Sequence, residues 1–188
     1  MNKTKNSIFL SAVKVFSSNG YDGATMDEIA ISAGVAKGTL YYHFKSKEEI
    51  FNYIISEGMK LIQDKISEVS NNSDTALGRL KSVFKVQLIL VHRNKDFFKV
   101  IASQLWGKEL RQFELRNKIE SYINDIEGLI DDAVRSNNLK RGKSRLMAYS
   151  FIGNLCSSSI YEISNSDEDM DDVVESMLDY MLNGIGIQ

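Results

Sequence analysis

The stretch that decides the fold runs from residue 25 to residue 47 and reads TMDEIAISAGVAKGTLYYHFKSK. It opens with Thr25 and, three residues later, Glu28, a capping box that starts a helix. Gly34 is predicted to end that helix, because glycine accepts the left-handed backbone that a helix C-terminus often needs. A second short helix is predicted over residues 36–44. Two short helices joined at a glycine predict a helix-turn-helix.

The second of these helices has a high density of groups that suit DNA. Lys37 and Tyr41 lie one turn apart and share a face. Gly38 has no side chain, so the backbone there can approach a base edge closely. A helix of this size fits the major groove, where base edges are distinguishable. We expect Leu40 to anchor the helix in the core, and Tyr42 rather than Tyr41 to be partly buried.

Helical periodicity continues along nearly the whole chain and predicts an all-α fold of about nine helices. The complete lack of proline agrees with this, because β-rich folds usually place proline in turns and edges. The first helix is expected to end at Gly20. A second capping box, 46–49, opens a long helix that leads to a polar linker, 70–74. A shorter helix is expected over 96–106, and the acids at 167–169 suit the start of the last helix.

The composition is typical of a soluble globular protein, with 188 residues, 43% apolar and 26% charged. No apolar run approaches the ~18 residues of a membrane span, and the first residues do not resemble a signal peptide. Cys156 is the single cysteine, so no internal disulfide is possible. We expect a cytoplasmic protein. Residues 1–47 have a net charge of +3 and the remainder −5, which suits contact with an anion at one end.

Residues 8–55 resemble the DNA-binding domain of the TetR (tetracycline repressor) family. The residues that support the resemblance are Phe16, Gly20, Tyr21, Thr25, Ile29, Ala30, Ala33, Gly34, Val35, the run Lys37-Gly38-Thr39-Leu40-Tyr41-Tyr42-His43-Phe44, Lys47 and Glu48. By this resemblance Lys37, Gly38 and Tyr41 contact bases. The positions that it assigns to phosphate contacts are Thr25, Thr39, Tyr42, His43 and Lys47. Asp27 departs from the pattern, because some relatives have a basic, base-reading residue there, and we leave it out of the predicted site.

The resemblance also implies a domain organisation and a mode of action. Residues 1–46 form the DNA-binding domain, and residues 47–188 form a helical domain for ligand binding and dimerisation. The protein then binds a palindromic operator in double-stranded DNA as a homodimer. We expect it to act as a repressor that an unidentified, mainly apolar small-molecule effector releases from the operator.

Two surfaces in the C-terminal part are candidates for these roles. The predicted pocket residues are Phe84, Leu88, Phe98, Trp106, Tyr122, Ile126, Phe151 and Asn154, with Gln87 and Gln104 as further polar candidates. The predicted dimer residues are Gly153 and Ser157 on one helix and Val173, Met177 and Met181 on the last. The alternatives are that the aromatic residues form ordinary core and that both helical stripes pack inside one subunit.

Other classes of function have little support in the sequence. It has no glycine-rich phosphate loop, nucleophile elbow or metal-ligand cluster, so we expect no enzyme, no cofactor and no metal. A membrane partner is not expected either. The remaining alternative is a helical adaptor that acts through protein contacts without DNA.

Overall fold

A computed structural model describes residues 3–70, 73–165 and 168–184, and within these ranges the chain is helical without strands. The all-α prediction is confirmed. The nine helices of the described part are α1 (Lys3–Gly23), α2 (Met26–Ala33), α3 (Lys37–His43), α4 (Lys47–Ser70), α5 (Ala76–Arg93), α6 (Lys95–Ser103), α7 (Leu110–Arg135), α8 (Ser144–Ser164) and α9 (Met170–Asn183).

The starts and ends of the first helices agree with the signals in the sequence. Gly20 has φ of +71°, which interrupts the helical backbone within α1. The Thr25 side chain accepts a hydrogen bond from the Glu28 N–H, and the Glu28 carboxylate accepts one from the Thr25 N–H, so the capping box is complete. Gly34 takes the left-handed conformation, with φ of +65°, and ends α2. The second expected capping box is only half formed. The Ser46 hydroxyl accepts a hydrogen bond from the N–H of Glu49, but the Glu49 carboxylate accepts from the N–H of Lys45 and not from that of Ser46.

The described chain forms two compact units, and the first contains the chain up to Leu61 together with Asn94–Lys118. Its core includes Ile8, Phe16, Leu40 and Phe51, all buried, and the rings of Phe16 and Phe51 meet edge to face with centroids 6.1 Å apart. Helix α6 packs against α1 in this unit. The Ser17 hydroxyl donates a hydrogen bond to the Asp96 carboxylate at 2.6 Å.

The second unit contains Ile62–Arg93 and the chain from Ile119 onward. Helix α5 packs against α8 and α9, and the rings of Phe84 and Phe151 lie 4.8 Å apart at its centre. At the surface, the Lys85 ammonium lies 2.6 Å from the Glu175 carboxylate. Arg145, near the start of α8, pairs with Glu127 at 2.7 Å and also with Glu120, both on α7.

Helix α6 is shorter than expected, because it ends at Ser103 and leaves Trp106 outside it. Part of the expected linker and Asp167 of the expected helix start lie outside the described residues. The expected domain boundary after residue 46 stays a prediction. Within the described ranges, no helix has both the length and the apolar character that a membrane crossing needs.

Candidate functional site

Helix α3 turns one face to solvent and buries the other. Leu40 and Phe44 are buried and anchor the helix, as their spacing predicted. Tyr42 is 78% exposed and Tyr41 38% exposed, so the expectation that Tyr42 is the more buried tyrosine is wrong. The reason is helical geometry: two residues span about 200°, which places Tyr42 opposite the face that holds Leu40. The space above Gly38 is open.

The exposed face of α3 is joined to α2 by an ion pair. The Lys37 ammonium lies 2.8 Å from each carboxylate oxygen of Asp27. It also lies 5.9 Å from the centroid of the Tyr41 ring. The hydrogen bond to Asp27, followed by the charge of its carboxylate, raises the pKa of Lys37. Lys37 therefore keeps its charge, and the ion pair fixes where that charge lies before any DNA is bound.

The residues predicted to contact phosphate lie around this face. Some are free at the surface, and others already bind a partner within the protein. Thr39 and Tyr42 are exposed, and the half-buried His43 has its ring 5.2 Å from that of Tyr42. Thr25 uses its hydroxyl within the capping box, donating to Glu28 at 2.9 Å. The Lys47 ammonium has internal partners, described next.

Lys47 binds the end of α1 from the start of α4. Its ammonium donates to the carbonyl oxygens of Asp22 and Ala24, at 3.2 and 2.9 Å. It also lies 4.7 Å from the centroid of the Tyr21 ring. An ammonium has three donors, so one remains for a phosphate. Lys47 thus has a role in the first unit that the sequence did not indicate.

The second unit contains a cavity of about 510 Å³. Helix α4 supplies one wall and α7 the other. The lining residues are Gln63, Ile66, Ser67, Ser70, Tyr122, Asp125, Ile126 and Leu129. Tyr122 and Ile126 belong to the predicted pocket. The wall combines aliphatic side chains with hydroxyl, amide and carboxylate groups, so it suits a ligand with both apolar and polar parts.

The other predicted pocket residues lie elsewhere. Phe84, Leu88 and Phe151 are buried and do not line this cavity. Asn154 is half-buried and donates to the carbonyl oxygen of Ser150 at 3.1 Å.

The two aromatic residues Phe98 and Trp106 fall in the first unit. Phe98 is half-buried, with its ring 5.7 Å from that of Phe97. Trp106 is 92% exposed and does not line this cavity. It follows α6 in an irregular segment. The prediction of Trp106 as a pocket residue is therefore not supported.

The predicted dimer residues are at or near the surface of the second unit. Gly153 and Ser157 are exposed on α8, and Val173, Met177 and Met181 are half-buried on α9. Helix α8 is apolar on several sides: Phe151 and Leu155 are buried, while Leu146, Tyr149 and Ile160 are exposed. An exposed apolar face of this kind is typical of an interaction surface.

Comparison with known proteins identifies the family. Residues 8–54 match the sequence profile of bacterial regulatory proteins of the tetR family. The fatty acid metabolism regulator protein of Bacillus subtilis (strain 168) is 30% identical over 183 residues, which cover 93% of this chain and 92% of that protein. The chain belongs to the TetR family. It is a transcriptional regulator, and the adaptor alternative loses its support.

Solved structures agree with this TetR-family assignment along almost the whole chain. A Clostridium perfringens protein, provisionally assigned as a fatty acid metabolism regulator, is 45% identical and superposes with a TM-score of 0.91. The match covers 97% of this chain and 100% of that one. The transcriptional regulator FadR from Bacillus subtilis, solved with stearoyl-CoA, is 23% identical, with a TM-score of 0.84 and coverage of 96% and 99%. The likeness to FadR shows a shared fold.

Sequence reasoning about this TetR-family regulator left out Asp27 and did not single out Gln87. Asp27 was left out as an acid in a DNA-binding motif, yet it contacts Lys37. A signal was available, since Asp27 lies in the first turn of α2 and Lys37 in the first turn of α3, on either side of a tight turn. Gln87 was given only as one of several polar candidates, and no sequence pattern indicates that its amide lacks a partner.

Proposed function

We propose that this TetR-family regulator is a repressor that binds a palindromic operator as a homodimer and is released by a fatty acyl-CoA. The DNA contacts that we propose are Thr25, Lys37, Gly38, Thr39, Tyr41, Tyr42, His43 and Lys47. The observation that supports this most directly is the exposed face of α3, where Lys37 is held beside Tyr41 with open space above Gly38. We place the regulator in the cytoplasm, where bacterial DNA is found.

The roles that we propose within the DNA site follow from which side chains are exposed and which side of α3 they lie on. Lys37 and Tyr41 are exposed on one face and can reach base edges. Tyr42 lies on the outer side of α3, with His43 beside it, where phosphates flank the groove. Base contacts discriminate sequences, whereas phosphate contacts fix position and orientation. A single α3 reads only a few base pairs, so a useful operator needs two copies of the helix.

A homodimer through α8 and α9 meets that need. The exposed apolar residues of α8 surround Gly153, where a partner helix can approach closely. Two helices from each subunit then form an intersubunit four-helix bundle. A two-fold axis through this bundle requires an operator with matching near-palindromic symmetry.

The effector class is suggested by the relatives and by the cavity. The Bacillus subtilis relative regulates fatty acid metabolism by its name, and FadR was solved with stearoyl-CoA. In this chain, Ile66, Ile126 and Leu129 offer the cavity an apolar wall for an acyl chain. Asp125 repels phosphate at its own position, so the phosphates of coenzyme A must lie away from it.

Two helices provide a physical route from effector to DNA. Helix α4 contributes its first part to one unit and residues 62–70 to the other, and α7 is divided after Lys118. A ligand between α4 and α7 can therefore displace helices that also belong to the DNA-binding unit. A ligand that prefers the DNA-incompetent state by ~5.5 kcal/mol shifts the equilibrium by about 10⁴-fold.

The proposal is tested by operator selection followed by calorimetry. DNA bound from a random pool is expected to yield a near-palindrome whose affinity falls steeply with salt. Stearoyl-CoA is then titrated into the free protein and into the operator complex. By linkage, an effector that weakens DNA binding must bind the complex more weakly. Equal affinities in the two titrations contradict release by acyl-CoA, and a pool without enrichment contradicts the DNA site.

A further inference from the structure

Gln87 is a buried amide without a hydrogen-bonding partner among the described residues. It lies on α5 in the second unit and is 2% exposed. Neither its carbonyl oxygen nor its amide nitrogen reaches a partner. Its neighbours along the buried side of α5 include Val83, Phe84 and Val91, whose apolar side chains can form no hydrogen bond with it. Buried polar groups in native proteins are almost always hydrogen-bonded, so each exception needs an explanation.

Tyr122 lies beside this amide and connects it to the cavity. Burial raises the pKa of Tyr122, and the approach of the Gln87 side chain to its hydroxyl opposes that rise. The two side chains are therefore neighbours, although the amide makes no hydrogen bond of normal geometry. The same tyrosine lines the cavity between α4 and α7. Phenol and amide together offer three donor hydrogens and two acceptor oxygens. The amide nitrogen and oxygen of Gln87 make no hydrogen bond of normal geometry in the free protein.

A purely structural role explains Gln87 poorly. A methionine or leucine at this position would fill similar space without burying an unpaired amide, and such replacements are often neutral or stabilising. The amide therefore suits a partner that arrives from outside. Because the cavity already reaches Tyr122, the shortest path for such a partner leads through it.

We propose that Gln87 and Tyr122 form a polar subsite, beside the cavity that Tyr122 lines, that binds an oxygen atom of the effector. This inference rests on the acyl-CoA function proposed above. An acyl-CoA can present such an oxygen in two ways, as the thioester carbonyl or as a hydroxyl or oxo group on the acyl chain. Either group accepts a hydrogen bond from the Gln87 amide, and a hydroxyl can also donate to its carbonyl oxygen.

The experiment compares three ligands of equal chain length: hexadecanoyl-CoA, 3-hydroxyhexadecanoyl-CoA and the thioether S-hexadecyl-CoA, which lacks the carbonyl oxygen. Binding is measured by calorimetry on the wild-type dimer, on Gln87→Met and on Asn124→Leu. Asn124 is the control, because it is an exposed amide on α7 that does not line the cavity. The free proteins are also compared by thermal unfolding.

The wild type is expected to prefer one oxygen-bearing ligand by about tenfold, the size of one well-made hydrogen bond. A preference for hexadecanoyl-CoA over the thioether assigns the thioester carbonyl, and a preference for the 3-hydroxy ligand assigns the chain oxygen. Gln87→Met is expected to lose that preference and to unfold at the same or a higher temperature. Asn124→Leu is expected to retain it.

The contrary results are distinct. If wild type and Gln87→Met discriminate among the ligands equally, the subsite is wrong while the acyl-CoA effector stands. If Gln87→Met unfolds at a lower temperature, the amide has a structural partner in the free protein, such as Tyr122 or a buried water, and the premise of an unpaired amide is wrong. If the wild type binds none of the three ligands, the acyl-CoA effector is wrong and the subsite fails with it.

Discussion

The ammonium of Lys37 lies 2.8 Å from both carboxylate oxygens of Asp27, which connects the start of α3 to the start of α2. Both side chains are more than half exposed, at 62% and 57%, so water screens the pair and it contributes little to folding stability. Its effect is on the surface that we propose contacts DNA. The charge of Lys37 is partly compensated and its position restricted, so it is less available for indiscriminate phosphate contacts. An acid in this place can also accept a hydrogen bond from the amino group of cytosine.

The first prediction concerns Asp27→Asn. Removing the carboxylate frees Lys37 and removes one negative charge that faces the phosphates. We expect affinity for all DNA sequences to rise and discrimination between operator and random DNA to fall. The salt dependence should steepen by about one unit of log K against log salt, because one more cation is available for phosphate. Fluorescence anisotropy at several salt concentrations measures both quantities.

Asp64→Asn is the control for this change. Asp64 is exposed on α4, outside the helix-turn-helix, and its replacement alters net charge by the same amount. If both variants gain non-specific affinity equally, the effect is one of total charge and the ion pair has no part in specificity.

The second prediction concerns Lys47→Ala, which is expected to change stability as well as DNA binding. The substitution removes hydrogen bonds to the carbonyl oxygens of Asp22 and Ala24. Because Lys47 is only half-buried, the loss of stability should be modest, about 1 kcal/mol. Operator and random DNA should weaken about equally, whereas Lys37→Ala should relax preference at one operator position by ~1–3 kcal/mol.

Lys60→Ala provides the comparison, since Lys60 is an exposed lysine further along α4. Urea unfolding and binding to a set of single-base operator variants separate the two effects. If Lys47→Ala and Lys37→Ala have the same specificity profile, the division between base and phosphate contacts is wrong.

The third prediction uses two glycines in equivalent local settings. Gly153 on α8 and Gly128 on α7 are both exposed, and a Cβ at either would meet no atom within 4 Å. Only Gly153 lies on the face that we propose for the dimer. Gly153→Glu should therefore dissociate the dimer by burying an unpaired charge, while Gly128→Glu should leave it intact.

Sedimentation velocity and operator affinity are the measurements, and Met177→Glu on α9 provides a second probe of the same interface. A Gly153→Glu protein that sediments as a dimer and binds the operator normally would move the interface to another surface.

The first helices could be predicted from the sequence because their capping signals lie close together along the chain. Thr25 and Glu28 form their capping box with partners three residues apart, and Gly34 needs only its own backbone freedom. Such signals lie within a few residues and survive without tertiary information. The family resemblance supplied the rest of the architecture, because the helical periods of α5 to α9 do not by themselves specify which helices meet.

The site was only partly predictable, because its missing features depend on tertiary contacts and on the ends of helices. The contact of Asp27 with Lys37 requires the turn between α2 and α3 to be in place. The exposure of Trp106 depends on where α6 ends. The cavity is lined by residues of both α4 and α7, and hydrophobic periodicity does not show which helices share a cavity. A buried aromatic residue can also belong to core or pocket equally well.

The fourth prediction tests the packing of α6 within the first unit, where Gly58 of α4 meets the buried ring of Phe97. A Cβ at Gly58 would overlap that ring. Alanine gains ~1 kcal/mol over glycine in a helix, but overpacking a buried site costs ~1–3 kcal/mol, so we expect Gly58→Ala to be destabilised on balance. Gly23→Ala is the control, because its Cβ would make an ordinary 3.8 Å contact with Asn19.

A double-mutant cycle completes the test of this contact. Phe97→Leu alone should destabilise the protein by removing buried apolar area. Combined with Gly58→Ala, it should be less damaging than the sum of the two changes, because the smaller side chain leaves room for the new methyl group. Urea unfolding of the four proteins gives the coupling. Additive losses would mean that the ring of Phe97 moves aside freely, and that α6 does not constrain α4 at this position.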